Sequence, residues 1–156
     1  MRRKIREYLN AVRKLRRISR REWRDLASAQ FALFVAQVRL WTKEKGGLTT
    51  PAAQAQPKTL PSDASIARAK ALALAVSRAA SFGLFRPACL VRSMALCRLM
   101  ERRGIHDAVV RLGVVKRGGR FHAHAWVEYG GIVLGDDPVS VSDYETLVGV
   151  SVLHAD

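Results

Sequence analysis

The sequence predicts an α+β protein in which several helices precede a small antiparallel sheet. Up to Gly104, apolar residues recur at the three- and four-residue spacing of amphipathic helices. After Gly104, apolar and polar residues alternate, which is typical of half-buried strands. The pairs Gly118-Gly119 and Gly130-Gly131 interrupt this alternation where tight hairpin turns are expected. Helices followed by hairpin-linked strands are the element order of an α+β fold.

Two helices are predicted in the N-terminal part of the chain. Residues 5–18 have basic side chains opposite an apolar stripe of Ile5, Tyr8, Leu9, Val12 and Leu15. Residues 19–22, Ser-Arg-Arg-Glu, have the spacing of a capping box, in which the serine accepts from the amide three residues on and the glutamate reaches back. This motif predicts a second helix from about Arg20 to Lys45, where Gly46 stops it.

A loop is expected to separate these helices from the rest of the chain. Residues 46–61 contain three prolines and two glycines and have no helical or alternating pattern. We therefore expect three parts: basic and amphipathic helices over residues 1–45, a loop or linker over residues 46–61, and the main folded core over residues 62–156.

Two further helices are predicted at the start of this core. The first is capped by Ser62 or Asp63 and ends at Gly83, where glycine is the preferred residue just beyond a helix. The second opens at Pro87, since proline suits the first turn of a helix, and it ends at Gly104.

Three strands are expected after the helices. Their predicted ranges are residues 108–116, 121–129 and 132–136, joined by the two glycine pairs. The last twenty residues are weakly patterned, so no element is predicted there.

The positive charge of the chain is concentrated at its start. The formal net charge is +14, and residues 1–24 carry +9 of it, with eleven Lys and Arg against Glu7 and Glu22. Such a block predicts docking to an acidic partner, and the alternative is a solvated basic helix that aids solubility. Because no aromatic ladder or recognition-helix motif accompanies it, nucleic acid is not the predicted partner. The most apolar segment, residues 26–41, contains an arginine and is too short to predict a transmembrane span.

The two cysteines predict a reducing compartment. Cys89 and Cys97 lie eight residues apart on one predicted helix, so about 12 Å of axial rise separates them. A disulfide needs Cα atoms within roughly 7 Å, so these two thiols cannot pair while the helix exists. Free thiols and the lack of a signal-peptide pattern favour the cytoplasm. Neither cysteine has zinc-motif spacing to a histidine, so neither a metal nor a cofactor is expected.

One of the cysteines is a candidate nucleophile. Cys89 falls in the first turn of its predicted helix, where exposed amides and the helix dipole favour a thiolate. The alternative is that Cys89 is a small core residue. The candidate bases are His122 and His124, which share the polar face of a strand with Trp126 and Glu128. The opposite face of that strand is predicted to face the core.

The candidate acid that orients the histidine depends on the length of a hairpin loop. A two-residue loop at Gly130-Gly131 would place Asp137 opposite His124. A three-residue loop that begins at Tyr129 would place Asp136 there. The residues themselves favour neither register.

Three segments, in this order, resemble the leader peptidases of lasso-peptide biosynthesis. They are CLVRSMALCRLMERRGI over residues 89–105, RLGVVKRGGRFHAHAWVEYGG over residues 111–131 and VLGDDP over residues 133–138. The helical segment over residues 22–41 is also similar to the helix that precedes the catalytic part in that family. The resemblance covers about residues 20–138, and the C-L-x-R-S and H-A-W-V-E runs are its strongest elements.

The resemblance implies a transglutaminase-like, papain-related fold and a cysteine peptidase that removes a leader peptide from a lasso precursor. It implies Cys89 as nucleophile, His124 as base and Asp136 as the orienting acid, and therefore the longer hairpin loop. Because the first 60 residues leave no room for a leader-recognition domain, the expected form is the stand-alone peptidase. Its expected partners are the precursor's leader peptide, a separate leader-recognition protein and an ATP-dependent cyclase.

Three further residues are candidates for substrate binding. Arg92 can contact substrate or tie its helix to the sheet, Trp126 can pack at the floor of the cleft or form a substrate platform, and His122 can line the cleft or face solvent. Cys97 is expected in the core.

Two other functions stay open on the sequence. One is a non-catalytic adaptor that binds a leader peptide or partner through its basic helices. The other is a transglutaminase-type acyl transfer to an amine.

Overall fold

A computed structural model describes residues 19–42, 61–83 and 85–150. The predicted helix over residues 5–18 and nearly all of the predicted linker lie outside these ranges. The elements, in chain order, are α1 (Arg20–Thr42), α2 (Asp63–Phe82), α3 (Cys89–Glu101), β1 (Val109–Arg117), β2 (Arg120–Tyr129), β3 (Ile132–Leu134), α4 (Pro138–Ser142) and β4 (Glu145–Val150). The α+β prediction is confirmed. Within the described ranges, no helix combines the length and apolar character needed to cross a membrane.

The start of α1 is fixed by the predicted capping box. The Ser19 amide donates to Glu22 Oε2 at 2.8 Å, and the Glu22 amide donates to Ser19 Oγ at 3.2 Å. The hydrogen bond from the Ser19 backbone is the main cause that lowers the pKa of Glu22. Both partners of the motif are therefore satisfied, and the helix begins where the sequence predicted.

Helices α2 and α3 begin with different caps. Ser62 caps α2, since its side chain accepts from the Ser65 amide, and α2 ends at Phe82, just before Gly83. Helix α3 begins at Cys89, two residues after Pro87, and its N-cap residue Ala88 has no capping side chain. The prediction that Pro87 is the first helical residue was therefore early by two positions.

The sheet is antiparallel, with the strand order β3-β2-β1-β4. The predicted turns join β1 to β2 at Gly118-Gly119 and β2 to β3 at Gly130-Gly131, and all four glycines have positive φ. Such backbone angles are favourable for glycine and strained for other residues. Strand β4 and the short helix α4 lie in the weakly patterned C-terminal region, where the sequence predicted no element.

The helices and the sheet share one core. Small residues let α1 and α2 approach closely, and the buried set includes Ala29, Ala32, Ala36, Ala69, Ala73 and Ala79. Helix α3 lies against both helices and against β2. On β2 the core face begins at Ala125 and continues through Val127 and Tyr129. Ala123 was predicted on this face but is exposed, because the first half of β2 runs past the part of the sheet that buried residues cover.

Candidate active site

Cys89 is the first residue of α3 and is partly buried against the core. Ala88, the N-cap residue, has no side chain that can accept a hydrogen bond from the amides of the first turn of α3. The Arg92 amide already donates within the helix, to the carbonyl of Ala88 at 3.1 Å. A sulfur at this position lies beside backbone donors that can interact with negative charge.

His124 and Asp136 are in direct contact. Nε2 of His124 lies 3.1 Å from Oδ2 of Asp136, and both side chains are about one-quarter exposed. This is hydrogen-bond distance for an imidazole and a carboxylate. An N–H at Nε2 that donates to Asp136 leaves the other ring nitrogen, Nδ1, as an acceptor.

The expected three-residue hairpin loop was wrong. Tyr129 pairs with Ile132, so the loop has two residues, and the register continued without a break would bring Asp137 opposite His124. The register does not continue, because β3 ends at Leu134 and Gly135 has a φ of 78°. This turn redirects the chain, and Asp136 reaches the imidazole even though the loop is short.

Asp137 makes hydrogen bonds at the start of α4 and not to His124. Its side chain caps α4, accepting from the Val139 amide at 3.2 Å and from Ser140 Oγ at 2.8 Å. These hydrogen bonds, with that from Ser140 the largest cause, lower the pKa of Asp137. The sequence contains a helix-start pattern here: an aspartate, then a proline at the first helical position, then a serine three residues after the aspartate. This pattern could have identified Asp137 as the capping aspartate and distinguished it from Asp136.

Two hydrogen bonds join α3 to the chain on either side of the His–Asp pair. Ser93 Oγ donates to the carbonyl of Ala125, the residue after His124, at 3.1 Å. Arg92 Nη2 donates to the carbonyl of Gly135, the residue before Asp136, at 3.3 Å. Arg92 thus ties its helix to the turn after β3, which is one of the two roles predicted for it.

Cys89 and Asp136 line one cavity together. This cavity lies between α2, α3 and the turn after β3, and Arg92 and Ser93 also line it. Since residues four apart on a helix share a face, Cys89 lies one turn from Ser93 on the side that contacts β2. The structure therefore places Cys89 and Asp136 at one cavity, with His124 held against Asp136.

Two aromatic rings lie beside His124. The ring centroids of His124 and Trp126 are 6.3 Å apart with planes inclined by 20°, and those of His124 and Tyr144 are 5.5 Å apart. Gly113 pairs with His124 across β1 and β2, and a Cβ on Gly113 would come within 2.8 Å of both aromatic side chains. Gly113 therefore provides the space that these rings occupy. Tyr144 follows the predicted elements in a weakly patterned region, and no sequence signal pointed to it.

Trp126 lies beneath the site and is only 3% exposed. Its Nε1 donates to Glu128 Oε1 at 3.1 Å, and Glu128 Oε2 accepts from Arg111 Nε at 2.9 Å. The face of β2 that was predicted to be polar is covered at Trp126. Trp126 therefore has little exposed surface that a substrate could contact. Glu128 serves Trp126 and Arg111, whereas His122 is solvent-exposed.

Cys97 is buried, with 1% of its surface exposed. Burial, with a smaller contribution from Glu101, raises the pKa of Cys97 to about 12. Its thiol therefore stays protonated at neutral pH, and the two cysteines occupy opposite environments. Over the parts of the chain that the structure describes, no group of three or more His, Cys, Asp or Glu is arranged to hold a metal ion.

Comparison with known proteins agrees with this architecture. Over 55 residues the chain is 44% identical to the microcin J25-processing protein McjB of Escherichia coli. That stretch is 35% of this chain and 25% of the relative, so the similarity spans about a quarter of the relative's length. No solved structure matches the chain significantly. Residues 31–149, which include β1 to β3 and all three candidate catalytic residues, match the transglutaminase-like superfamily. The chain is therefore a member of the transglutaminase-like superfamily.

Proposed function

We propose that the protein is a cysteine peptidase that removes the leader peptide from a lasso-peptide precursor before macrocyclisation. The observation that carries the proposal is the 3.1 Å contact between His124 and Asp136, at a cavity that Asp136 shares with Cys89. The similarity to a microcin-processing protein supports the substrate class. In this proposal Cys89 is the nucleophile, His124 the base and Asp136 the orienting acid that acyl transfer to a thiol requires.

Each of the three side chains has one role in this proposal. Asp136 accepts from Nε2 of His124 and fixes the tautomer, so that Nδ1 accepts the proton of the Cys89 thiol. The thiolate attacks the carbonyl carbon of the last leader residue, and an S–C bond forms. The Cys89 amide, at the start of α3, donates to the oxyanion.

The intermediate collapses with cleavage of the C–N bond, and the imidazolium gives its proton to the leaving amine. The core peptide departs with a new N-terminus. His124 then takes a proton from water, which attacks the thioester carbonyl. The C–S bond breaks, the leader is released with a free carboxylate, and the imidazolium gives its proton to the departing Cys89 thiolate. Free Cys89 is regenerated, so the cycle needs neither a metal nor a cofactor.

The proposed partners are those that the resemblance to lasso-peptide leader peptidases implies. The precursor's leader peptide would be presented by a separate recognition protein, and the freed core peptide would pass to an ATP-dependent cyclase. The two free thiols, Cys89 and Cys97, support a reducing compartment such as the cytoplasm for this reaction.

The decisive experiment removes the candidate nucleophile. Cys89→Ala should abolish cleavage of the cognate precursor, as measured by mass spectrometry. It should leave the fold, as measured by circular dichroism, and the binding of the precursor intact. Cys97→Ala is the matched control. It is the same substitution at the buried cysteine, and this variant should still cleave the precursor. Processing by the Cys89→Ala variant would refute the peptidase mechanism.

The same mass spectra separate the two alternative functions. A leader fragment that ends in a carboxylate indicates hydrolysis, whereas a fragment with an amine adduct indicates transglutaminase-type transfer. Binding of the precursor without any cleavage by the wild-type protein, in the presence of the recognition protein, would favour the adaptor.

A further inference from the structure

We propose that an extended segment of the peptide substrate lies in the groove between α2 and β3, and that Leu74 contacts an apolar substrate side chain there. This proposal rests on the proposed peptidase function and deepens it. It concerns substrate residues roughly three positions from the scissile bond.

The groove consists of two neighbouring cavities that share part of their lining. The inner one, next to Cys89, has a volume of about 20 Å³, which is room for a single water molecule. The outer one has a volume of about 510 Å³, within the range of ligand-binding clefts. The two share the lining residues Ala73, Ser77, Leu134, Gly135 and Asp136. A peptide held in the outer cavity therefore lies directly beside the candidate catalytic residues.

One wall of the outer cavity is a single face of α2. It is formed by Lys70, Ala73, Leu74 and Ser77, which have the spacing of one helical stripe. Lys70 and Leu74 line the outer cavity alone, whereas Ser77 also lines the inner one, so Lys70 marks the end away from Cys89. This stripe is about 10 Å long. Since an extended chain rises ~3.3 Å per residue, the wall accommodates about three substrate residues.

The other wall is the edge of the sheet. Strand β3 is one of the two edge strands of the sheet, and Val133 and Leu134 line the groove, followed by Gly135 and Asp136. An edge strand offers unpaired backbone donors and acceptors on its outer side. An extended peptide can add to such an edge by main-chain hydrogen bonds, while side-chain pockets provide specificity. The wall therefore favours an extended peptide over a folded ligand.

The proposed contact between Leu74 and the substrate is apolar. The Leu74 side chain lines the outer cavity and is half-exposed, at 51%. An apolar substrate side chain would cover this surface. Loss of a few methylene contacts in such a site costs about 10-fold or more in discrimination.

The test measures binding without catalysis. A fluorescein-labelled peptide that spans the leader–core junction of the precursor is titrated into Cys89→Ala, and fluorescence anisotropy gives its Kd. Adding Leu74→Ala should raise this Kd about 10-fold. Leu147→Ala is the matched control, because Leu147 is 59% exposed on β4, at the opposite edge of the sheet. It should leave the Kd unchanged.

Hydrogen–deuterium exchange adds a structural readout. Bound peptide should slow amide exchange in β3, residues 132–134, and leave that of the β1–β2 turn at residues 118–119 unchanged. Equal Kd values for the Leu74 and Leu147 variants, or no protection in β3, would overturn the groove assignment. If this binding pattern holds but wild-type protein leaves the precursor intact, the peptidase function fails and the groove assignment stands.

Discussion

Asp136 and Asp137 are chemically identical neighbours with different partners. Asp136 contacts the imidazole of His124, whereas Asp137 caps α4. We expect Asp136→Asn to lower kcat by about 10²–10⁴-fold, because an amide can hold the wrong tautomer of the histidine. Asp137→Asn should keep kcat close to the wild-type value, since asparagine also caps helices. Steady-state cleavage of the precursor measures both, and a larger loss for the Asp137 variant would reverse the assignment.

The two cysteines should differ in reactivity toward iodoacetamide. Thiolates are the reacting form, and burial raises the pKa of Cys97 to about 12, so its thiol is neutral and shielded at pH 7.5. Cys89 is partly exposed at a helix start. We expect alkylation of Cys89 in the folded protein and of Cys97 only after unfolding in guanidinium, as read by peptide mass mapping. Labelling of Cys97 first would contradict the placement of these residues.

At the residue level, helix and strand periods predicted on which elements and faces the candidate residues lie. Cys89 and the pair His122 and His124 became candidates through their positions on those elements, and the resemblance singled out His124. The choice of Asp136 depended on a resemblance, and the loop length inferred from it was wrong. The physical reason is Gly135, whose positive φ ends the strand register one residue before the acid. Pairing patterns alone do not reveal such a turn.

Gly113 is the residue through which strand β1 shapes the site. A Cβ there would come within 2.8 Å of Trp126 and of Tyr144 Cβ. We expect Gly113→Ala to destabilise the fold by about 1–3 kcal/mol through overpacking. It should also lower kcat, since both rings lie beside His124.

Urea unfolding and precursor cleavage measure these two effects of Gly113→Ala, and near-UV circular dichroism reports on the packing of the aromatic rings. Lys116→Ala, an exposed change on the same strand, should alter none of the three. Unchanged kcat in a destabilised Gly113 variant would mean that the rings support only the fold.

In the C-terminal region the sequence predicted no element, although the structure has a helix, α4, and a strand, β4. Helix α4 has five residues, and β4 gains its hydrogen bonds by pairing with β1 through an irregular register between Leu112 and Gly113. Neither has a periodic pattern long enough to stand out. They nevertheless carry Tyr144 to the imidazole, so part of the site surroundings was invisible in the sequence.

The whole molecule carries its charge unevenly, which bears on its partners. Residues 1–24 hold +9 of the net charge of +14, and residues 1–18 lie outside the described ranges. We expect deletion of residues 2–18 to weaken binding to the acidic precursor or its recognition protein, because steering by a charge block depends on electrostatic attraction. Binding of the full chain should also weaken between 50 and 500 mM salt.

Isothermal titration calorimetry of the two proteins gives the affinity under each salt condition. Affinity that changes neither with the deletion nor with salt would remove the docking role from this segment. The expected cleavage of a short junction peptide by the truncated protein provides the control, since the candidate catalytic residues lie on other elements.

Asp136 lies between two anchored neighbours: the Gly135 carbonyl is held by Arg92, and Asp137 is held at the start of α4. Its backbone therefore has little rotational freedom before any substrate arrives. In the proposed mechanism, a carboxylate preset in this way does not need to be reoriented when the imidazole becomes charged, so the reorganisation energy of that proton transfer would be small. Inhibitors that rely on displacing Asp136 would have to break both anchors, whereas compounds that accept its existing position would meet a rigid target.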